Sequence, residues 1–160
     1  MNNISNRTLG TLIRHLLAHL DGDVQAAYDE LGVPFRPRFY PIVQFLLANG
    51  QAGVNEIAAH IGVSQPAATQ TLGEMKKLGL IAIEPGEDRR HKQVSLTDAG
   101  LSLAARLASL WQAVHTAADS LDREIGTSLS DLLGRTLEAL ERQSFLTRIH
   151  AACPPESENK

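Results

Sequence analysis

The chain has 160 residues, a net charge of −3 and a single cysteine. This length suffices for one domain with a sizeable core, or for a small domain with an oligomerisation arm. The single cysteine, Cys153, excludes an intrachain disulfide framework, and the aromatic content of 4% favours a helical protein over a β-sandwich. The mildly acidic balance does not exclude a nucleic-acid partner, because phosphate contacts depend on the charge of a local face.

The N-terminal sequence lacks the features of a signal peptide or a membrane span. Residues 2–6 are mostly polar, and the first apolar stretch is interrupted by Arg14, His15 and His19. The uncharged residues 39–55 contain a proline and two glycines, so they would not span a bilayer. We therefore expect a soluble, cytoplasmic protein with no membrane partner.

Helical periodicity dominates the first third of the chain. Apolar residues recur at helical spacing over residues 5–20. Asp21-Gly22-Asp23 then predicts a break or kink, after which the helical pattern continues to Gly32. Two prolines predict a loop over residues 33–38, and the mostly apolar residues 39–48 predict a short buried helix.

Residues 54–100 are the stretch around which the fold is predicted. A helix over residues 54–61 is closed by Gly62, because glycine enters the left-handed conformation of a sharp turn without steric penalty. Ser64 is predicted to cap a second helix that ends near Gly79. The buried face of this second helix consists of Ala68, Leu72 and Met75. Its opposite face exposes polar side chains, which are Gln65, Thr69, Gln70 and Lys76.

Two short strands, residues 80–83 and 94–97, are predicted to follow as a hairpin. Thr97 is placed to cap the next helix. Two tightly joined helices followed by a hairpin are typical of a winged helix-turn-helix. The predicted fold class is therefore mostly α with a small β-wing (α+β), a winged helix-turn-helix flanked by N- and C-terminal dimerisation helices.

The flanking helices have more apolar surface than a winged domain can cover. The C-terminal ones are predicted over residues 98 to about 119 or beyond, with a stripe that includes Leu101 and Trp111, and over residues 130–149. An exposed apolar face marks a partner surface, and a two-fold homodimer is the commonest closed form. The predicted division is a dimerisation arm (residues 5–32), a DNA-binding domain (38–97), dimerisation helices (98–150) and a disordered tail (151–160).

The wing and the helix pair resemble one known family. Asp88-Arg89-Arg90, followed after five residues by Leu96-Thr97-Asp98-Ala99-Gly100, matches the D-x-R…L-T-x-x-G signature of the MarR family, and NEIAAHIGVSQPA is similar to its helix-turn-helix consensus. The helix order agrees over residues 5–150. The resemblance implies a dimeric transcription regulator whose helix over residues 64–79 enters the major groove and whose wing reaches the adjacent minor groove. It also implies release from the operator by a small aromatic or lipophilic effector.

The predicted DNA contacts lie on that helix and on the wing. Arg90 is the predicted wing-tip reader, because a narrow minor groove has an enhanced negative potential, and Asp88 would orient it. The alternative is a solvated loop of mixed charge. Gln70 stands where the family frequently has arginine, and glutamine pairs with adenine. We therefore expect a pseudo-palindromic operator with half-sites read mainly at A·T pairs, about one helical turn apart.

The complete predicted DNA-binding set combines base readers with residues that contact phosphate. Arg89, His91 and Lys92 are expected to meet phosphates rather than bases. The set is Ser64, Gln65, Pro66, Ala67, Thr69, Gln70, Lys76, Asp88, Arg89, Arg90, His91 and Lys92. His60, also in this half of the chain, either contacts phosphate or has a buried structural role.

A second predicted set, His15, His19, Arg38, Tyr40 and Trp111, would contact the effector. His15 and His19 are one helical turn apart, but without a third ligand nearby in the sequence they predict no metal site. Arg38 is either the counter-charge for an anionic effector or a partner of Asp29 or Glu30. Tyr40 and Trp111, with Phe39, are either core residues or the lining of an effector cleft.

Other functional classes have weaker support in the sequence. A winged-helix protein–protein interaction module without a specific DNA site is the alternative, and the charged wing and the polar helix face argue against it. An enzyme is not predicted, because there is no phosphate-cradling glycine loop, no Cys/His pair at useful spacing and no paired carboxylates in an evident cleft. We expect no cofactor, a repressor rather than an activator, and no redox role for Cys153, which has no Lys or Arg nearby in the sequence.

Overall fold

The computed structural model describes residues 8–86 and 92–153, and these ranges form seven α-helices, one 3-10 turn and three strands. In chain order these are α1 (Leu9–Glu30), the 3-10 turn (Pro37–Phe39), α2 (Tyr40–Asn49), β1 (Gln51–Gly53), α3 (Val54–Ile61), α4 (Gln65–Lys77), β2 (Ile81–Pro85), β3 (Lys92–Leu96), α5 (Asp98–Ile125), α6 (Leu129–Arg142) and α7 (Phe145–Ala152). The predicted class, mostly α with a small β-wing, is confirmed. Two compact units are present, residues 1–111 and 112–160, and α5 runs through both.

Helix α1 is continuous where the sequence predicted a break. Thr8 caps it, because its Oγ1 accepts the Thr11 N–H at 3.3 Å. Gly22 remains helical, and the predicted break at residues 21–23 is wrong. A glycine inside a helix costs about 1 kcal/mol relative to alanine, which weakens a helix without ending it. The predicted loop over residues 33–38 is also shorter, because the 3-10 turn begins at Pro37.

The helix pair α3–α4 agrees with the predicted one. Gly62 has φ +70 and ψ +32 at the end of α3, and the Ser64 Oγ accepts the Ala67 N–H at 3.4 Å. The predicted buried face of α4 is at most 1% exposed: Ala68, Leu72 and Met75. Leu72 and Met75 pack into the same core as residues of α2, α3 and the sheet.

The sheet is antiparallel with the order β1-β3-β2. Strand β1 was not predicted, because its three residues are too short for a detectable alternation. Val94 of the central strand β3 is fully buried and lies opposite Ala52 of β1 and Ile83 of β2. The hairpin strands are displaced from the predicted ranges and cover Ile81–Pro85 and Lys92–Leu96.

The base of the hairpin is joined to both neighbouring helices at Thr97. Its Oγ1 donates to the Gly79 carbonyl at 2.6 Å and accepts the Gly100 N–H at 3.0 Å, so Thr97 caps α5 as predicted. The Thr97 N–H donates to the Leu80 carbonyl at 3.1 Å. A Cβ at Gly100 would lie 2.1 Å from that Leu80 oxygen, so this position has room only for glycine.

A cluster of aromatic side chains is part of the core of the first unit. The ring of Phe35 contacts those of Tyr28, Phe39 and Trp111, with centroid distances between 5.0 and 5.8 Å. Tyr40 meets Trp111 edge to face at 5.1 Å. The Trp111 Nε1 donates to the Tyr28 hydroxyl at 2.9 Å, which pairs both polar tips inside the core.

The C-terminal helices differ from the prediction in number. Helix α5 continues to Ile125, and the single helix predicted over residues 130–149 is two helices, α6 and α7. The division falls at Ser144, whose Oγ accepts the Thr147 N–H at 3.2 Å and so starts a new helix. Leu101, predicted within the apolar stripe of α5, is 46% exposed. Neither α6 nor α7 buries a residue.

Two further observations concern membrane spans and metal sites in residues 8–86 and 92–153. Within these ranges no helix is both long and apolar enough to cross a membrane. In the same part of the chain, no three His, Cys, Asp or Glu side chains lie close enough to hold a metal ion.

We predict that Tyr28→Phe lowers the free energy of unfolding by about 1–3 kcal/mol at neutral pH, because the buried Trp111 N–H loses its acceptor. Burial raises the pKa of Tyr28 above its ordinary 10.0, the Trp111 hydrogen bond opposes the rise, and Tyr40 adds to it. The unfolded chain therefore loses the Tyr28 proton first as pH rises. The stability that comes from the raised pKa of Tyr28 is fully present below pH 10.0 and is lost as pH rises through the pKa of Tyr28 in the folded state.

Urea denaturation over a pH series, from about 8 to about 11, tests both statements. The wild-type protein should lose stability above pH 10.0 more steeply than Tyr28→Phe, which has no phenol to ionise at this position. Equal stabilities at neutral pH would contradict the role of the Tyr28–Trp111 hydrogen bond. Identical slopes above pH 10.0 would contradict the rise of the Tyr28 pKa on burial.

Candidate nucleic-acid interface

Helix α4 presents one buried face and one exposed polar face. Ala68, Leu72 and Met75 occupy the core side of α4, and the residues of α4 in the predicted DNA-binding set lie on its other side. The structure brings seven of the predicted DNA-binding residues together on the exposed surface of α4 and its capping turn: Ser64, Gln65, Pro66, Ala67, Thr69, Gln70 and Lys76. A polar helix face that none of the described residues of the unit covers is a suitable surface for a DNA groove.

The hydroxyl groups of α4 are partly engaged by the helix itself. The Thr69 Oγ1 donates to the Gln65 carbonyl at 2.9 Å, and the Thr71 Oγ1 donates to the Ala67 carbonyl at 3.2 Å. Thr69 therefore presents its methyl group and its oxygen lone pairs outward. Gln70, one residue later, is exposed and has both an amide donor and a carbonyl acceptor.

Lys77 was absent from the predicted set and belongs to the same surface. It is exposed beside Lys76 in the last turn of α4. Its position seven residues after Gln70, two helical turns along one face, was the signal that could have found it. Two lysines at this end suit both the negative end of the helix dipole and a nearby phosphate.

The described part of the wing ends before its tip. Lys92 is exposed at the start of β3, opposite Pro85 of β2. The other predicted wing residues, Asp88, Arg89, Arg90 and His91, lie outside the described residues. The Asp88–Arg90 pair therefore stays a prediction.

Arg38 is paired with a residue of α4 rather than with Asp29 or Glu30. Its guanidinium donates to the Glu74 carboxylate, and the two side chains are 50% and 32% exposed. Asp29 instead accepts a hydrogen bond from Gln25 at 2.9 Å. A pair this exposed contributes about 1 kcal/mol at most, but it links the 3-10 turn to α4. Glu74 was not singled out in the sequence, because its partner lies 36 positions away.

The predicted effector residues do not form one site in this structure. Trp111 is 7% exposed and packs in the core against the half-buried Tyr40. His15 and His19 lie on exposed positions of α1. A groove beside Arg38 contains none of the other four predicted residues, and its lining consists of Asp21, Gly22, Gln25, Arg36, Pro37 and Arg38. Effector contact by the five stays a prediction.

His60 does not have the buried structural role that was one of its two predicted roles. It is exposed on α3, and its ring stacks on that of Phe45 with centroids 4.2 Å apart and an interplanar angle of 23°. The buried structural role is therefore wrong. The phosphate-contact alternative stays open for an exposed imidazole.

Comparisons with known proteins agree with this geometry. Residues 37–91 match the family model described as MarR family. The transcriptional repressor CouR, solved bound to a 23-mer DNA duplex, is 24% identical, with 88% of this chain and 96% of CouR covered and a TM-score of 0.67. A mutant of MarR from E. coli complexed with operator DNA is 18% identical, with 91% and 99% covered and a TM-score of 0.64.

A third similar structure concerns regulation. It is the structure of BpsR of Bordetella bronchiseptica, whose DNA binding is regulated by 6-hydroxynicotinic acid. BpsR is 16% identical to this chain, with 71% of this chain and 80% of BpsR covered and a TM-score of 0.61. No curated protein matches the chain. The solved structures share its fold, and the family model spans the 3-10 turn, the helix-turn-helix and the start of the wing. Over this segment, the chain resembles the MarR family.

Proposed function

We propose that the protein is a homodimeric, sequence-specific DNA-binding transcription regulator that represses its target and is released by a small-molecule effector. The observation that supports this most directly is the exposed polar face of α4, with Thr69, Gln70 and two lysines opposite a fully packed core face. CouR and the E. coli MarR mutant were solved with DNA on the same fold. In a helix-turn-helix, the second helix of the pair lies in the major groove.

The exposed apolar side chains support the homodimer. On α1 they recur at spacings of four, four and three residues, on one helical face: Leu9, Ile13, Leu17 and Leu20. On α6 and α7 they are 37% to 63% exposed: Leu132, Leu133, Leu137, Leu140, Phe145, Leu146 and Ile149. Helices this short are marginal in water without a packing partner. A second copy would cover them and place two α4 helices on a pseudo-palindromic operator.

The Arg38–Glu74 pair offers a route by which an effector could act. An anionic effector that takes the Arg38 guanidinium would remove it from Glu74, and with it one of the links between the 3-10 turn and α4. The operator equilibrium shifts only as far as the effector binds the two states with different affinity. We propose Arg38 as the counter-charge, with Tyr40 and Trp111 as the aromatic surface and His15 and His19 as further contacts. In BpsR, an acid, 6-hydroxynicotinic acid, regulates DNA binding.

The family and the fold point to a regulator without enzymatic activity. A protein that acts on a promoter works where the DNA is, so we place it in the cytoplasm. The competing function is a winged-helix module that binds proteins and has no specific DNA site. Gln70, Lys76 and Lys77 on one exposed face favour the DNA-binding function over this module.

Selection of duplexes from a random pool by the purified protein tests the proposal. We expect enrichment of pseudo-palindromic sequences whose half-sites are about one turn apart, with A·T pairs at the contacted positions, and an affinity that falls steeply with salt. The absence of both sequence enrichment and salt-dependent binding would favour the interaction module. Enrichment of G·C pairs at the contacted positions would overturn adenine reading by Gln70 and leave the regulator intact.

We predict that Arg90→Ala weakens binding of the selected duplex by about 1–3 kcal/mol and lowers the magnitude of the salt slope by about one. The reason is the loss of one guanidinium from the minor groove. Arg106→Ala, at an exposed position of α5 outside α4 and the wing, is the matched control and should bind as the wild type does. Size-exclusion chromatography should show the same dimer for all three proteins. Unchanged binding by Arg90→Ala would refute the wing assignment.

We predict that Gln70→Ala reduces specificity more than non-specific affinity. Loss of one bidentate base contact should cost about 1–3 kcal/mol on the selected duplex and little on a scrambled one, because phosphate contacts remain. Fluorescence anisotropy with both duplexes measures the ratio. Gln112→Ala, an exposed glutamine on α5, serves as the control. A parallel loss on both duplexes would show that Gln70 does not read bases.

A further inference from the structure

We propose that Gly73 determines how closely α4 approaches the floor of the major groove, and thereby whether Gln70 reaches the base edges. This inference rests on the proposed DNA-binding function and assigns a specificity-determining role to a residue without a side chain. Neither the sequence pattern nor the family signature singled it out.

The first argument is position. In a helix, residues three and four apart are neighbours on one face. Gly73 is four residues after Thr69 and three after Gln70, and it precedes Lys76 and Lys77 by three and four. All four neighbours are exposed, so Gly73 lies at the centre of the polar face of α4.

The second argument is that the described chain gives no reason for a glycine here. Gly73 is helical and is absent from the glycines with positive φ, unlike Gly62 and Gly79. A Cβ at Gly73 would meet no atom within 4 Å in the described residues, whereas one at Gly100 would clash with Leu80. An interior helical glycine costs stability relative to alanine. Within residues 8–86 and 92–153, nothing offsets that cost.

The third argument is the fit of a helix to the groove. An α-helix with its side chains is about 10–12 Å across, and the major groove of B-DNA is about 12 Å wide. Each Cβ on the leading face therefore limits how deeply the helix enters. Glycine is the residue that permits close approach of a backbone to a ligand. Between Gln70, which would read bases, and the lysines, which would contact phosphates, Gly73 is at the point of closest approach.

A matched control exists on α1. Gly22 is also an interior helical glycine whose added Cβ would meet nothing within 4 Å. It lies between Asp21 and Asp23, outside the proposed interface. Gly22→Ala therefore reports the helix-propensity effect alone, and Gly73→Ala reports that effect together with the loss of close approach.

The experiment compares thermal unfolding with binding of two duplexes, one selected by the wild-type protein from a random pool and one scrambled. Both alanine variants should raise the Tm by about 2 °C. Only Gly73→Ala should weaken binding of the selected duplex, by about five-fold or more, with less than about two-fold change on the scrambled one. In a Gln70→Ala background the effect of Gly73→Ala should shrink below about two-fold, because the contact it disrupts is already absent.

Each of the remaining outcomes would contradict one of the statements made above. If Gly73→Ala binds the selected duplex as tightly as the wild type, the inference fails and the proposed function stands. Equal losses on both duplexes, or full additivity with Gln70→Ala, would show that Gly73 does not act through base reading. A lower Tm for Gly73→Ala would contradict the open space at this position. If the wild-type protein selects no duplex, the proposed function and the inference both fail.

Discussion

A single threonine hydroxyl joins the three parts of the winged-helix unit. Thr97 Oγ1 donates to the Gly79 carbonyl just after α4 and accepts the Gly100 N–H in the first turn of α5, while its own N–H pairs with Leu80 before β2. The contact is possible because Gly100 has no Cβ to collide with the Leu80 oxygen. The end of α4, the base of the wing and the start of α5 are therefore held by contacts at backbone distance. No long, flexible side chain takes part in the junction.

This junction gives a physical meaning to the pattern that first suggested the family. In L-T-x-x-G, the threonine is the shared cap and the glycine, three residues later, is both its hydrogen-bond donor and the residue that makes room for the Leu80 carbonyl. The spacing of three follows from a cap that accepts the N–H of the third residue along the new helix. The polar face of α4 is useful for recognition only if its direction is fixed, and the junction fixes one end of that helix.

What could be predicted from the sequence was what depends on neighbours in the chain. The end of α3 and the start of α4 follow from Gly62 and from the Ser64 cap, and the buried face of α4 follows from periodicity. Two of the predictions that failed required distant information, and two depended on the flanking segments or on a single local cap. Gly22 continues a helix because the segments on both sides are helical, and β1 exists only because β3 pairs with it. The partner of Arg38 lies across the fold, and the division between α6 and α7 depends on one capping serine, Ser144.

The absence of any buried residue in α6 and α7 has a consequence for measurements of the stability of this protein. If a second copy covers these helices, their order is governed by mass action, and the apparent melting temperature rises with protein concentration. A cell that holds few copies would then contain a fraction of chains whose last helices are unfolded and whose operator affinity is that of one half-site. The cellular concentration of the protein would therefore determine the shape of the regulatory response as well as its amplitude.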